Sequence, residues 1–261
     1  MSSYLFEDAT PQEIKDAKVP HLLPETYHFL STHSLHVPYT PLLLYISLPS
    51  SPWIPFTSLT QCTQGLHLIT QSTPNGQKVQ IMLEELQLLY PTLSWTQTLI
   101  NIATNEQKKD WFLRLDPNGR IPVLVDKTKT TSPGGAFTVH ETSAELLYLL
   151  KEYDERDELG FKDELERSQA LQWLFFWHGS GAPYQGQLNH FGKFAKEKIP
   201  YAIERFRNET LRVYGVLEIH LSGKYSGEAR EYLAGSGKGS SCASPLLLPS
   251  YATSELTLSS R

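Results

Sequence analysis

The chain has 261 residues, with 23 Lys and Arg against 28 Asp and Glu and a net charge of −5; this lacks the basic surplus of a nucleic-acid binder. Hydrophobic residues make up 40% and aromatic residues 11%, which supplies a real core and excludes a wholly disordered chain. Two cysteines, Cys62 and Cys242, cannot build a disulfide framework or the usual cysteine-rich zinc site, and the longest apolar run, Leu42 to Ile46, is far too short to span a bilayer. We therefore expect a reduced, cytoplasmic protein with no metal, no nucleic-acid partner and no membrane span.

Residues 1–18 form an N-terminal segment without the basic and apolar regions of a secretory signal. Residues 19–64 have no Lys or Arg, a single acid in Glu25, and seven prolines, which interrupt helix and strand ladders alike. Their four histidines, at 21, 28, 33 and 36, have no regular metal spacing. Residues 65–239 carry 20 basic and 22 acidic residues among 175, an ordinary globular composition, and function is expected there. Residues 240–261 return to Ser, Leu and Pro.

Within the central block, Leu66–Thr70 reads as a short buried strand. The turn Thr73-Pro74-Asn75-Gly76 leads into a helix from Gln77 to Tyr90, with Val79, Met82, Leu83 and Leu86 at helical spacing. Leu93 to Ile102 reads as a second strand and Glu106 to Leu115 as a short polar helix anchored by Trp111 and Phe112. After the turn Asp116-Pro117-Asn118-Gly119, a third strand is expected over Ile121–Asp126. A Pro133-Gly134-Gly135 turn then leads to a fourth over Ala136–His140. A helix from Thr142 through Tyr153 completes a small α/β domain with a mixed sheet. Beyond it the pattern is helical: an aromatic helix from Asp163 to His178, ended by Gly179, Gly181 and Pro183, and another from about Glu197 to Leu221.

Four places can carry chemistry. Asn75 lies at the start of the first helix, where free N–H groups and the dipole favour an anion and an Asn amide can donate to a thiolate; Asn is equally a common helix cap. Pro122, at a strand start, is a candidate cis proline that would present the Ile121 backbone to an extended peptide, or else an edge-strand proline. Glu141 and Thr142 open a helix that could hold an ammonium and a carboxylate together, while Thr142 with Glu145 also fits a capping box. Trp173, Phe176, Trp177, His178 and Tyr184 could wall an apolar pocket, although aromatics at helical spacing more often form core.

In this order the motifs resemble the cytosolic glutathione S-transferases: a thioredoxin-like half without Cys-x-x-C, then an all-helical half. Four stretches are similar to the fungal subfamily related to the yeast nitrogen-regulatory, prion-forming protein. They are Ser72 to Val79, Asp116 to Pro122, Glu141 to Ala144, and Gly181-Ala182-Pro183-Tyr184-Gln185-Gly186-Gln187. The resemblance spans about 65–239 and implies a thioredoxin-like glutathione-binding domain over 65–153, followed by a partial helical domain over 154–239.

It further implies that Asn75 contacts the glutathione sulfur and that Arg120 and Ile121, with Pro122, align the cysteinyl backbone. Glu141 and Thr142 would hold the γ-glutamyl end, and Gln107 falls where a His or Lys usually reaches the glycyl carboxylate. The implied activity is conjugation of the glutathione thiolate to hydrophobic electrophiles, or attack on peroxides, in a cytoplasmic homodimer serving detoxification. Glutathione would be co-substrate, with no resident cofactor. The alternatives are a non-catalytic regulatory protein on the same fold, whose prion-forming relative carries a long Asn/Gln-rich tract that residues 1–64 lack, and an inactive product.

Two departures accompany the resemblance. The family's chain would run from a stretch such as Met1–Lys18 directly into Gly65, so residues 19–64 are an insert. Because Val codons begin with GT and a Gln codon can end in AG, we expect a retained intron there. At the other end, Tyr232 to Gly239 matches the loop before a buried Ser-x-x-Asp helix, yet Ser240-Ser241-Cys242-Ala243 follows. The helical half is expected to be incomplete and the chain correspondingly unstable.

Overall fold

The structure, a computed structural model, describes residues 65–131 and 135–235. The expectations for residues 1–64 and 236–261, and for the Pro133-Gly134 turn, lie outside the described residues.

Strand β1 (Leu66–Thr70) is buried along its whole length. It pairs parallel with β2 (Trp95–Leu99) and antiparallel with β3 (Val123–Thr131), which pairs antiparallel with β4 (Gly135–His140). The resulting order, β2-β1-β3-β4, is the expected mixed sheet. Strand alternation sends Leu66 and Leu68 to one face and Ile69 to the other. Leu66 and Leu68 join the main core, and Ile69 packs with Ile100, Phe112, Val123 and Val125.

Helix α1 (Pro74–Leu89) starts earlier than the apolar period suggested. Thr73 caps it, its side chain accepting a 3.3 Å hydrogen bond from the Gly76 N–H, and Pro74 takes the first helical position, where a missing donor costs nothing. Asn75 is therefore not the cap. Gly76 is required by close approach: a Cβ there would overlap the Thr70 hydroxyl and the Gln71 carbonyl.

The polar helix expected over Glu106–Leu115 is broken into pieces. Single turns at Ile102–Thr104 and Glu106–Lys108 precede a short α2 (Asp110–Leu113). Asn105 between the two turns is left-handed at φ 57°, and Lys109 is extended, so no continuous ladder can form. Strand β3 begins at Val123 because Pro122 before it has no N–H to contribute.

Helix α3 (Thr142–Tyr153) runs as expected, but the capping box does not form. The cap position is Glu141, at φ 72° and ψ 112°, and Glu145 turns into the interior, fully buried. Two hydroxyls bind the helix to the sheet through one carboxylate: Asp126 accepts from Tyr148 at 2.6 Å and Tyr153 at 2.5 Å, while Thr128 on its own strand donates to it at 2.6 Å.

The link to the helical half is clamped by Asp154, which accepts from the Tyr90 hydroxyl at 2.5 Å and from the N–H groups of Glu158, Leu159 and Gly160. Helix α4 (Glu164–Phe176) follows, capped by Asp163. Gly179, Gly181 and Pro183 do not end the helical path. A π-helical turn at Trp177–Gly181 leads straight into α5 (Ala182–Asn189). The wide turn already forgoes one regular hydrogen bond, and Pro183 sits in the first turn of α5, where its absent N–H is harmless. A second π turn (His190–Phe194) closes α5. Helix α6 (Pro200–Leu221) starts at its proline rather than at Glu197.

One apolar cluster joins both halves. Leu66, Leu83, Leu146 and Leu149 from the sheet half share it with Leu174, Trp177, Val213, Tyr214 and Leu217 from the helical half.

Candidate functional site

The site is assembled above the ends of β1 and β3 from three chain segments, with the single turns around Ile102 and Gln107 adding a fourth. The first is the α1 entry, Thr73-Pro74-Asn75, brought against β1 by the missing side chain of Gly76. Asn75 is exposed there, in the first turn of a helix with unpaired N–H groups.

The second segment is the loop Asp116–Pro122. Asp116 is almost fully buried and folds the loop on itself, its carboxylate accepting from the N–H groups of Asn118 and Arg120, both at 2.9 Å. The Lys108 ammonium donates to the Asn118 carbonyl at 2.9 Å. The loop ends in a cis Ile121–Pro122 peptide, as its position suggested.

The third segment is Glu141-Thr142. The positive φ of Glu141 is unusual for a residue with a side chain and is held from outside: Asn118 Nδ2 donates to Glu141 Oε1 at 3.1 Å. Thr142 is buried at the first position of α3.

Between these segments lies a cavity of about 380 Å³, within the range of small-molecule sites. Asn75, Gln107, Arg120, Ile121, Pro122, Glu141 and Thr142 all line it, together with Thr73, Ile102, Asp116 and Asn118. The walls offer one cation, Arg120, two acids, Asp116 and Glu141, and the amides of Asn75, Gln107 and Asn118. Gln107 is oriented by a 3.4 Å hydrogen bond from Nε2 to the Ile102 carbonyl, and its Oε1 is buried without a partner. Such a lining suits a small zwitterionic, peptide-like ligand. Asp116, Asn118, Thr73 and Ile102 are lining residues that motif reading missed; the signal for the first two was the self-bonding Asp116-Pro117-Asn118-Gly119 turn.

Behind this wall lies Glu145. Neither carboxylate oxygen has a well-aligned hydrogen-bond partner, the Leu124 backbone being the nearest donor. Burial pushes its carboxyl well above the usual range; the Leu124 backbone pulls against this, and the Glu141 and Asp116 carboxylates reinforce it.

The four aromatics expected to wall one pocket are dispersed. Trp177 is 2% exposed and stacks on Tyr214, which makes it core. Tyr184 packs toward Phe206. Trp173 and Phe176 border a separate depression of about 400 Å³ with His220 and Arg230, which shares no lining residue with the first cavity. Trp173, Phe176 and Trp177 all precede the body of the π turn and are divided between the depression and the core by their positions on α4; only Tyr184 lies beyond the turn. Among the described residues, no cluster of His, Cys, Asp and Glu could hold a metal ion, and no helix is long and apolar enough to cross a membrane.

A thioredoxin-like sheet joined to a helical half, with a polar cavity between the first helix, a cis-proline loop and a kinked helix entry, defines the glutathione transferase class of fold. Residues 73–152 match the glutathione S-transferase N-terminal domain. The chain is 36% identical to Protein URE2 of Debaryomyces hansenii over 166 residues, covering 62% of this chain and 51% of that protein. It is 39% identical to the disulfide-bond oxidoreductase YfcG of Escherichia coli over 150 residues, 57% of this chain and 65% of that one. In three dimensions it matches a glutathione transferase homolog from Lodderomyces elongisporus, solved with two glutathione molecules per subunit. That match has a TM-score of 0.65 and 36% identity, and it covers 74% of this chain and 85% of that one. The chain belongs to the glutathione transferase family and to its fungal, Ure2-related branch. It spans about half the length of its URE2 relative.

Proposed function

We propose that the cavity binds glutathione and that the chain transfers the glutathione thiolate to hydrophobic electrophiles, with peroxides as further acceptors. One observation carries this reading: seven residues from four separated stretches of sequence, Asn75, Gln107, Arg120, Ile121, Pro122, Glu141 and Thr142, line a single cavity. In this reading Glu141 takes the γ-glutamyl ammonium. The Thr142 hydroxyl and the α3 N-terminus take its carboxylate, and the Ile121 backbone pairs with the cysteinyl unit. Gln107 faces the glycyl end, and the sulfur lies at the α1 entry beside Asn75.

The chemical task is to ionise the thiol. A free thiol has a pKa near 8.5, so lowering it by about two units takes roughly 2.7 kcal/mol of preference for the thiolate. The N–H groups and dipole of α1 and the Asn75 amide donor supply that preference. The cytoplasm, where glutathione is abundant, is the setting this chemistry asks for, and a homodimer is the assembly its family suggests.

The test is turnover of a chlorodinitrobenzene-type electrophile with glutathione, by wild type and Asn75→Ala. We expect the variant to lose turnover far more than glutathione affinity. Absence of glutathione binding by the wild type would remove the proposal. A second reading, glutathione-dependent reduction of disulfides, is favoured by the similarity to a disulfide-bond oxidoreductase and to a homolog holding two glutathiones per subunit. Turnover of a mixed disulfide in place of the aryl halide separates the two. A purely regulatory binding protein would bind glutathione and turn over neither.

A further inference from the structure

We propose that His178, in the helical half, is a positioning residue for the glutathione cavity and acts through Ser143; the inference rests on the glutathione reading above. His178 Nδ1 lies 3.0 Å from Ser143 Oγ. Ser143 follows Thr142 directly, so this bond grips the first turn of α3 from the helical half. The turn needs holding, because it starts from Glu141 at φ 72°, a conformation that side-chain-bearing residues keep only when their surroundings impose it. One tether is already in the sheet half, from Asn118 to Glu141. The His178–Ser143 bond is the second, and it comes from the other half of the molecule.

The π turn makes this reach possible. Trp177 is anchored in the core against Tyr214, at 6.4 Å between nearly parallel rings. Gly181, one wide turn later, has no room for a side chain, since a Cβ would overlap the Trp177 indole. Trp177 and Gly181 therefore lock the turn, and His178 at its start is presented outward at the α3 entry rather than inward with the core. Insertions of this kind in a helix recur at functional sites because they re-aim one side chain without ending the helix. The consequence is that the packing of the helical half sets how firmly the γ-glutamyl end of glutathione is gripped.

The experiment measures glutathione dissociation constants by calorimetry, and KM and kcat with the aryl halide, for wild type, Ser143→Ala, His178→Leu, the double variant and His178→Gln. Loss of one hydrogen bond that organises the turn should weaken glutathione binding roughly three- to tenfold in each single variant. At saturating glutathione kcat should stay within about twofold of wild type, because the contact is distant from the sulfur. The double variant should be no weaker than the poorer single variant, and His178→Gln, which keeps a hydrogen-bonding group, should recover most of the affinity.

Wild-type affinity in both single variants, or fully additive losses, overturns the inference. So does a fall in melting temperature with unchanged affinity, which would mark an ordinary packing contact. Ser143→Ala removes only one oxygen and keeps the test valid should His178→Leu fold poorly. If the wild type binds glutathione and the variants match it, this inference alone falls; if the wild type does not bind, the glutathione reading falls with it.

Discussion

Asn118 and Glu141 are 23 positions apart, yet the amide of the first donates to the carboxylate of the second at 3.1 Å, tying the cis-proline loop to the kinked entry of α3. Both residues line the cavity, and the bond occupies only one of the two Glu141 oxygens. Asn118→Ala should therefore loosen two walls at once. We expect glutathione affinity, read by calorimetric titration, to fall by roughly two- to tenfold, the worth of one net hydrogen bond. Turnover at saturating glutathione should hardly change.

Glu145 predicts a gain in stability on replacement. Its carboxyl is fully buried, lacks a well-aligned hydrogen-bond partner, and has its pKa pushed well above the ordinary carboxylate range by burial. The unfolded chain releases that proton near the ordinary value of 4.5, whereas the folded chain keeps it to higher pH, so the folded state loses stability as pH rises above 4.5. Glu145→Leu should raise unfolding free energy at pH 7 by about 1–3 kcal/mol, the usual cost of an unsatisfied buried polar group. The gain should shrink as the comparison is repeated below pH 4.5. Denaturant titrations at both pH values check it.

His67 acts in the opposite direction. Its ring is bracketed by Thr96 at 2.7 Å and Thr98 at 3.0 Å, and burial, helped by Lys127, holds its pKa down to about 4. The unfolded imidazole takes a proton near 6.5 and the folded one resists until about 4, so stability drains away as pH falls through that window. The melting temperature of wild type should decline over this range, and that of His67→Gln should decline less. Parallel curves would remove His67 from the account.

Asp154 is a polar clamp at the junction of the halves. Its carboxylate receives the Tyr90 hydroxyl and three backbone N–H groups, and Arg156 lies over the Tyr90 ring at 4.9 Å. Asp154→Ala leaves those donors without an acceptor in a buried setting and should cost about 2–4 kcal/mol. Asp154→Asn retains an oxygen and should cost less. Equal losses in both would show that charge, rather than acceptor geometry, is what the clamp requires.

Much of the sheet half was legible because its signals are local. Leu66–Thr70 and Val123–Asp126 are short apolar runs between turn residues, and α3 carries a clear helical period. The site was legible in the same way: Asn75, Ile121-Pro122 and Glu141-Thr142 each sit at a helix or strand start, where backbone groups are left free. The misreadings share a cause. Thr142 and Glu145 have the spacing of a capping box, but the cap moved to Glu141 and the acid went inward, which depends on loop contacts with Asn118 far away in sequence. Gly179, Gly181 and Pro183 look like a helix stop, but Trp177 stacking on Tyr214 turns the same glycine into a close-packing position. The aromatics stood open between pocket and core: Trp177 is core, and only Tyr184 is carried away from the others by the π turn, which a regular helical period does not reveal.

The apolar cluster that runs unbroken from Leu66 to Leu217 means that neither half is a separable module. A fragment ending after α3 would expose Leu146 and Leu149 to water, and the helices expressed alone would present Trp177 and Val213. The chain should consequently melt in a single transition, and a swap of one half for that of a distant relative would have to match this shared seam before it could inherit the relative's chemistry.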